Sequence, residues 1–469
     1  ELSAFTNWGL AAGGYMKPDI TAPGGHIYST QTKGNTFGDM SGTSMATPHV
    51  TGGVGVLRSR LNEMLFAGVK HKAALTKTIL MNSAVPHMDP VTKTTTSPRR
   101  QGAGVMDLAK ATKLDFTVVD KETQIASKYV GNVEDTITLN LSIHNYSSEQ
   151  KILTSTVQAT IEARDGKKLL LRPDELFSRE LDEKITIPAQ SEKDVTITFP
   201  IENLEKVEPF TNGAFVEGFL HMKDQNGMEI SFPFVSFKGK YETIPSIEKP
   251  LYDFSFEDGD EPMYWSYDFK KNDWFKYSTH LETIQGTYEG PDGKKYNNIV
   301  VAGLKNFDEI DENKNTDAEP KPEFEPIVIS PNGDNYNDVL GLNMVMVRSA
   351  NVKATVINEA GEEKDYPIGI KLTNISFIPD DNSRATYLGY TSPGTIPVKD
   401  LADGNYTLKL TAEAVKGLNE NYPATFREIK FMIDKTEPDF EGARYDEDSR
   451  KLSFRLVEEG SGIKEFKIT

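Results

Sequence analysis

The ten residues from Ser41 to Val50 constrain this chain more than any other part of its sequence. They place Ser44 two residues after Gly42 and just before a run in which apolar residues recur at spacings of three and four. Such spacing is typical of the buried stripe of a helix. The stripe consists of Val50, Val54, Leu57, Leu61 and Leu65. Ser44 is therefore predicted to lie at a helix N-terminus, where unpaired backbone N–H groups favour negative charge.

Ser44 is the best candidate for a nucleophile in the chain. Its position at a helix end has two interpretations. It can be an N-cap, whose side-chain oxygen accepts a backbone N–H, or a nucleophile whose attack on a carbonyl creates an oxyanion beside the helix end. The segments on either side of the helix bear on this choice.

Three segments resemble the subtilisin-like serine proteases, and they occur in the order found in that family. GTSMA at 42–46, followed by PHV at 48–50, resembles the nucleophile motif. KPDITAPG at 17–24 resembles the stretch before that motif, and GAGVMDLAKA at 102–111 resembles the end of the catalytic domain. Such context is what a short motif requires for confirmation. The resemblance implies an α/β subtilisin-like domain in which Ser44 is the nucleophile.

The same resemblance implies that the other catalytic groups lie upstream. A serine needs a base to take its proton and a third group to orient that base. In the family the Asp, the His and the oxyanion-hole Asn all precede the serine, and their motifs do not occur here. Of seven histidines, only His49 is near Ser44 in sequence, and the family motif makes it a packing residue. Asp39, in the preceding loop, matches no catalytic acid.

We therefore expect the sequence to be the C-terminal fragment of such an enzyme. An upstream segment carrying the Asp and the His is its expected partner, and residues 1–469 alone are expected to be inactive.

From Asp115 onward, the helical periodicity gives way to alternation. Apolar and polar residues alternate at 137–143 and at 195–199, and two strand-like runs between 219 and 237 meet at Asn226-Gly227. Strict alternation with an Asn-Gly turn predicts antiparallel sheet. Residues 116–240 are predicted to form a β-sandwich, which resembles the fibronectin type III-like domain of bacterial cell-envelope proteinases. Its expected role is that of a stalk.

The predicted fold is multidomain, with the C-terminal part of an α/β subtilisin-like domain at 1–115 followed by antiparallel β-sandwich domains. Residues 241–438 form a second, larger sandwich region, and residues 439–469 begin a third. The aromatic stretch from Tyr252 to Tyr277 is interpreted as core, with a protein- or sugar-binding patch as the alternative. The acidic segment 306–325 is predicted to be an exposed loop or linker.

SPNGDNYND at 330–338 is a second segment with recognisable chemistry. Oxygen-bearing side chains around a glycine turn can converge on Ca²⁺, which binds six to eight oxygens at about 2.4 Å. Similar segments bind calcium at the start of immunoglobulin-like domains in bacterial surface proteins. We expect Asp334 and Asp338 to be ligands of a structural Ca²⁺, and an Asx turn without metal is the alternative.

Charge and composition restrict the kinds of binding partner and the cellular location that the sequence allows. A formal net charge of -18 argues against nucleic acid and anionic membranes and favours cationic proteins. The chain has no cysteine, which excludes a disulfide framework and a thiolate metal site. The sequence contains no apolar run of about eighteen residues, so it predicts no membrane-spanning helix. These features fit an extracellular protein, secreted or on a Gram-positive cell wall.

The sequence thus predicts a serine endopeptidase of the bacterial cell surface that cleaves proteins through an acyl-enzyme on Ser44. The downstream region most resembles the streptococcal and lactococcal cell-envelope proteinases, especially the chemokine-cleaving ones. That resemblance implies host chemokines, rather than casein-like proteins, as substrates. The alternative from a different class is an inactive adhesin or spacer that binds a host protein.

Overall fold

The computed structural model describes residues 2–457 apart from several gaps. The gaps are 4, 12–14, 33, 62–65, 67–68, 71, 166–167, 211–212, 256–263, 269–272, 291–292, 306–321, 348, 372–389, 415–422 and 438. The described residues divide into two compact units, one within 1–244 and one within 245–457, and each is described by itself.

The described part of the first unit contains four α-helices. They are α1 (Thr43–Leu61), α2 (Lys72–Ser83), α3 (Pro98–Gln101) and α4 (Leu108–Ala111). Apolar spacing predicts α1 and, through Leu75 and Ile79, a second helix from about Lys72 to Asn82. The two longer helices confirm both predictions. On α1, Leu57 and Leu61 are fully buried while Val50 and Val54 are half-buried; Leu65 lies outside the described residues. No helix in the described ranges is long and apolar enough to cross a membrane.

The strands of the first unit form a hairpin before α1 and two larger sheets after α4. The strands are β1 (Ile27–Thr30), β2 (Phe37–Met40), β3 (Phe116–Asp120), β4 (Lys128–Val133), β5 (Thr136–Asn145), β6 (Lys151–Asp165), β7 (Lys168–Ile187), β8 (Ser191–Pro200), β9 (Ala214–Asp224) and β10 (Glu229–Lys238). The sheet orders are β3-β5-β8 and β4-β10-β9-β6-β7. Neighbouring strands in both sheets are antiparallel except β4 and β10, which are parallel. A short 3₁₀ helix, Leu204–Lys206, precedes β9, and another, Tyr241–Thr243, follows β10.

Local sequence accounts for the central strands of this sandwich. The four alternating apolar residues of β5 between 137 and 143 are all fully buried, as the alternation predicts. The β9–β10 hairpin turns at Asn226-Gly227, where Gly227 has a φ of +87° that a side chain would disfavour. Both features confirm the predicted antiparallel sheet.

A single apolar core extends across residue 115. Leu57 of α1, Ile79 of α2 and Leu114 belong to the same buried cluster as Ile137 and Phe234 of the sandwich. Asn82 of α2 adds a directed contact, because its Oδ1 accepts the N–H of Val118 at 2.8 Å. The sandwich therefore packs directly on the helices.

Arg99 of α3 is the largest fully buried side chain among the described residues. It is fully buried, and it donates from Nε and Nη2 to the two carboxylate oxygens of Glu217, both at 2.9 Å. Nη2 also donates to Glu162 Oε1 at 2.8 Å, and the guanidinium lies 3.9 Å from the Phe215 ring centroid. Burial alone would lower the pKa of Arg99, but the two carboxylates outweigh it and raise that pKa. One cation thus joins α3 to β6 and β9.

Lys151 forms a second buried ion cluster. Its side chain is 4% exposed, and Nζ lies 2.7 Å from Asp115 Oδ2 and 2.7 Å from Asp224 Oδ2. The other oxygen of Asp224 accepts the N–H groups of Asn226 and Met228, so the same carboxylate also holds the β9–β10 turn. Burial raises the pKa of Asp224, but the hydrogen bonds from Lys151 and from the Met228 and Asn226 amides, together with the charge of Lys151, outweigh it and lower that pKa.

The second unit is built almost entirely of strands. They are β11 (Tyr264–Asp268), β12 (Asp273–Tyr277), β13 (His280–Glu289), β14 (Lys295–Val301), β15 (Val328–Ile329), β16 (Leu340–Val345), β17 (Ala350–Asn358), β18 (Glu363–Lys371), β19 (Tyr390–Ile396), β20 (Gly404–Ala414), β21 (Thr425–Ile433), β22 (Asp439–Asp446) and β23 (Lys451–Val457). Two sheets, β14-β13-β16-β19 and β15-β21-β20-β17-β18, enclose one core. Strands β11 and β12 pair with each other, as do β22 and β23, and Leu251–Asp253 is a 3₁₀ helix.

Several predictions for this unit can be compared with the structure. Phe254 is buried and Tyr252 packs against the core, as predicted for the aromatic stretch. The side chains of 256–277 and the acidic residues 306–321 lie outside the described part. The predicted third sandwich is described as far as the β22–β23 hairpin, and 458–469 lie outside the described residues.

We expect Lys151→Met to destabilise strands β6 and β9, because it leaves the Asp224 carboxylate buried without its cation. Removing one partner of a buried ion pair costs about 3–5 kcal/mol. Native-state hydrogen exchange followed by mass spectrometry would measure this as faster exchange of peptides from both strands. The control, Lys206→Met, breaks an exposed pair with Asp174 and should have a much smaller effect.

The difference in stability between wild type and Lys151→Met should depend on pH in a defined direction. The pKa of Asp224 in the folded protein lies below its unfolded value of about 3.9. The ion pair therefore stabilises the fold fully above about pH 3.9, and this stabilisation is lost as pH falls through the folded pKa. Wild type and Lys151→Met should therefore differ most near neutral pH and converge below about pH 4. A difference that grows on acidification would contradict this assignment.

Candidate active site

Ser44 is the second residue of α1, and its side chain is exposed. Since the helix begins at Thr43, the residue in the N-cap position is Gly42. Among the described residues, the Ser44 hydroxyl accepts no backbone N–H and has no other hydrogen-bond partner. The geometry therefore does not match the N-cap interpretation and leaves this oxygen accessible at the helix end.

The turn before Ser44 is held by backbone contacts. The Gly42 N–H donates to the Gly24 carbonyl at 2.8 Å, and the Gly42 carbonyl accepts the N–H of Met45 at 3.0 Å and that of Ala46 at 3.3 Å. A Cβ added to Gly24 would lie 2.8 Å from the Gly42 oxygen and 3.1 Å from Ala46 Cβ. Gly24 thus allows the segment 17–24 to approach the helix N-terminus closely.

The structure brings the three family-like segments together. The Thr21 N–H donates to the Gly104 carbonyl at 2.8 Å, and the Met106 N–H donates to the Thr21 carbonyl at 2.9 Å. The pairing of Thr21 with Val105 is a parallel bridge. A Cβ on Gly53 of α1 would lie 2.7 Å from Met106 Sδ, so the helix also packs closely on the third segment. Segments 17–24, 42–50 and 102–111 therefore form one local assembly.

Asp19 secures this assembly to α2. Its carboxylate accepts from Lys17 Nζ at 2.5 Å and lies 2.9 Å from Lys77 Nζ on α2. Burial raises the pKa of Asp19, but the hydrogen bonds from the two lysines outweigh it and hold that pKa below its ordinary value. Asp19 is therefore ionised near neutral pH and acts as an anchor.

His49 is not positioned to act on Ser44. Residues five apart on a helix point in directions that differ by about 140°. The Nδ1 atom of His49 lies 2.8 Å from the Met45 carbonyl oxygen, and its ring is exposed. The exposure differs from the packing role expected for this residue, because nothing in the described chain covers this side of α1. Asp39 lies 3.6 Å from His26 in an exposed pair, and His71 lies outside the described residues.

An open cleft of about 1080 Å³ runs beside α1, between the helix and the segment 18–26. Ala46, Val50 and Val54 of α1 line one side of this cleft, and Ile20 and Val105 line another. Large apolar side chains are also exposed elsewhere in the α/β part of the unit. They include Phe5, Tyr28, Phe37 and Met40. Exposed apolar surface of this kind marks an interaction site.

The segment 330–338 of the second unit forms a tight turn. Asp338 accepts the N–H of Gly333 at 2.6 Å and that of Asn335, while Asp334 accepts the N–H of Tyr336 at 2.8 Å. These are the contacts of an Asx-type turn. Within the described residues, no three His, Asp or Glu side chains converge on one point. Calcium binding by Asp334 and Asp338 stays a prediction.

Comparison with known proteins identifies the class. Residues 1–104 match the subtilase family, and residues 129–235 match an Fn3-like domain. A C5a peptidase of Streptococcus pyogenes serotype M1 is 31% identical over 77% of this chain and 33% of its own length. A PII-type proteinase of Lactococcus lactis subsp. cremoris is 32% identical over 51% of this chain and 13% of its own. The chain thus spans at most about a third of these two relatives.

Residues 1–104 therefore belong to the subtilase family, and an Fn3-like domain follows them. This confirms the family, the fold class and the order of segments predicted from the motifs. Among solved structures, a red sea bream transglutaminase is 8% identical over 69% of this chain and 32% of its own, with a TM-score of 0.17. Nothing here depends on that likeness.

The motifs gave no indication of the sandwich residues that contact the subtilase segment. Glu162 and Glu217 lie 63 and 118 residues after Arg99, in strands that read as ordinary half-buried sheet. The available signal was their position, since both carboxylates fall within the predicted sandwich, residues 116–240.

We expect Gly24→Ala to separate the segment 17–24 from the helix N-terminus, because the added methyl group would press on the Gly42 oxygen. The amide of Gly42 should then exchange about tenfold faster, since it would lose its acceptor. Hydrogen exchange of peptides covering 41–46 would measure this. Gly25→Ala is the matched control, because its Cβ would meet nothing closer than Ser3 Oγ at 3.4 Å. Equal exchange in the two variants would contradict the role given to Gly24.

Proposed function

We propose that this chain is the nucleophile-bearing part of a subtilisin-like serine endopeptidase, in which Ser44 forms the acyl-enzyme. The observation that carries the proposal is the accessible Ser44 hydroxyl in the first turn of α1. It has no capping role there, and the family-like segment 17–24 is hydrogen-bonded to its turn through Gly24. The subtilase match over residues 1–104 supports the same assignment.

In the proposed reaction, Ser44 Oγ attacks the carbonyl carbon of the scissile peptide bond while a histidine takes its proton. The oxyanion that forms is stabilised near the start of α1, where backbone N–H groups lack partners within the helix. The C–N bond then breaks, and the histidine gives its proton to the leaving amine. Water hydrolyses the ester on Ser44 in the second half of the cycle.

The histidine and its orienting aspartate are proposed to come from an upstream segment, as the family resemblance implies. Two observations support this. His49, the histidine nearest to Ser44 in sequence, bonds the Met45 carbonyl and points away from Ser44. Apolar side chains lining the cleft beside α1 are open to a further partner. An upstream segment that fills this cleft would bury apolar surface and bring the base to the serine in the same step.

We propose proteins as the substrates. Among the relatives, one is named for C5a and another is named a proteinase. The net charge of -18 favours cationic proteins, which is compatible with the expected preference for host chemokines. The proposed location is the outer face of a bacterial cell or the surrounding medium. Incubation of the complete enzyme with a chemokine, C5a and casein, followed by mass spectrometry of the products, would rank these substrates.

The alternative function is an inactive adhesin or spacer that binds a host protein. The two β-rich regions that make up most of the chain favour it, since sandwiches commonly serve as such modules. In that case, Ser44 would be inert even when the upstream segment is supplied.

Ser44→Ala should abolish peptide hydrolysis by the complete enzyme and leave its thermal unfolding nearly unchanged, because the side chain is exposed. Loss of the nucleophile in subtilisin, a relative, lowers kcat by about 10⁶. A fluorogenic peptide assay measures the rate, and circular dichroism gives the melting temperature. Thr47→Ala, three residues along the same helix, is the control and should retain activity. Activity of Ser44→Ala within tenfold of wild type would disprove the assignment.

Residues 1–469 alone should be silent, and mixing them with the upstream half should restore hydrolysis. The physical reason is that a serine hydroxyl without a base is a weak nucleophile at neutral pH. Size-exclusion chromatography and peptide hydrolysis would follow association and activity together. Hydrolysis by the isolated chain at the rate of the mixture would show that a base lies within it, and association without hydrolysis would favour the adhesin.

A further inference from the structure

We propose that Arg99 is a positioning residue for Ser44 and that the first sandwich is part of the catalytic machinery. This inference rests on the proposed function. It starts from the buried position of Arg99, whose partners Glu162 and Glu217 both lie in the sandwich. Arg99 itself lies in α3, between α2 and the third family-like segment, so one side chain connects the two parts.

A short series of contacts leads from Arg99 toward the nucleophile. Ser97 caps α3 by accepting the Arg99 N–H at 3.1 Å, which fixes the backbone of this helix. The carbonyl of Gln101, the last residue of α3, accepts from Thr21 Oγ1 at 2.9 Å. Thr21 also exchanges backbone hydrogen bonds with Gly104 and Met106 just after α3. The position of α3 therefore sets the position of Thr21.

Thr21 is three residues from Gly24, whose carbonyl accepts the Gly42 N–H in the turn before Ser44. The proline at position 23 restricts the backbone between them. A shift of α3 is thus passed to the Ser44 turn through one short and constrained segment. The C-terminal end of α1 also packs against the sandwich, because Leu57 and Leu61 are buried in the core that the two share.

The chemistry of the Arg99 contact suits a positioning role. Two parallel hydrogen bonds to one carboxylate fix both the distance and the orientation of the guanidinium. The third bond, to Glu162, removes the remaining freedom of rotation. Because the side chain is fully buried, any displacement would leave charges without partners. The sandwich therefore defines where α3, and with it the Ser44 turn, must lie.

The test uses the complete enzyme with its upstream segment and the variants Arg99→Met and Glu162→Gln. The readouts are kcat, KM and the rate at which a fluorophosphonate labels Ser44, each expressed per folded molecule. We expect both variants to lower kcat and the labelling rate, Arg99→Met by about ten- to a hundredfold, with KM nearly unchanged. Arg179→Met breaks a sandwich ion pair with Glu202 that is away from this path, and should leave both rates intact.

A melting temperature and a circular dichroism spectrum for each variant separate positioning from folding. The proposal would be overturned by variants that have a lower melting temperature but whose Ser44 reacts with the fluorophosphonate at the wild-type rate per folded molecule. Arg99 would then be purely structural. If Arg99→Met does not fold, Glu162→Gln tests the proposal by the same labelling rate, because glutamine keeps the shape of the glutamate side chain and most of its contacts. Wild-type enzyme that is not labelled at Ser44, with Ser44→Ala as the reference, would instead disprove the proposed function.

Discussion

The buried guanidinium of Arg99 is the interaction on which the rest of the first unit depends. A charge taken out of water is strongly unfavourable unless it is paired, and here the pairing spans two segments that match different families. The subtilase segment supplies the cation and the Fn3-like sandwich supplies both anions. Separating the two would leave three charges without partners and would also split an apolar core. The family boundary is therefore not a physical boundary, and the unit is held together as one body.

Features fixed by neighbouring residues could be predicted from the sequence. Helices α1 and α2 follow from apolar spacing, and the β9–β10 hairpin follows from Asn226-Gly227. The position of Ser44 at a helix N-terminus followed from the residues on either side of it. Local pattern carries this information because hydrogen bonding in helices and tight turns is itself local.

Features that depend on distant partners could not be predicted in this way. Lys151 and Asp224 are 73 residues apart, and each looks like a solvent-exposed charge until the sheets are assembled. The same holds for His49, whose expected packing depends on what covers α1. Composition indicates which groups can interact, and the long-range topology determines which ones do.

The shared core has a consequence for how such proteins can recombine. Exchange of catalytic segments between relatives at residue 115 would cut through the cluster that joins Leu57, Ile79 and Phe234. It would also separate Arg99 from Glu162 and Glu217, so a hybrid would inherit mismatched charges in its interior. The smallest inheritable module is therefore the segment together with its first sandwich.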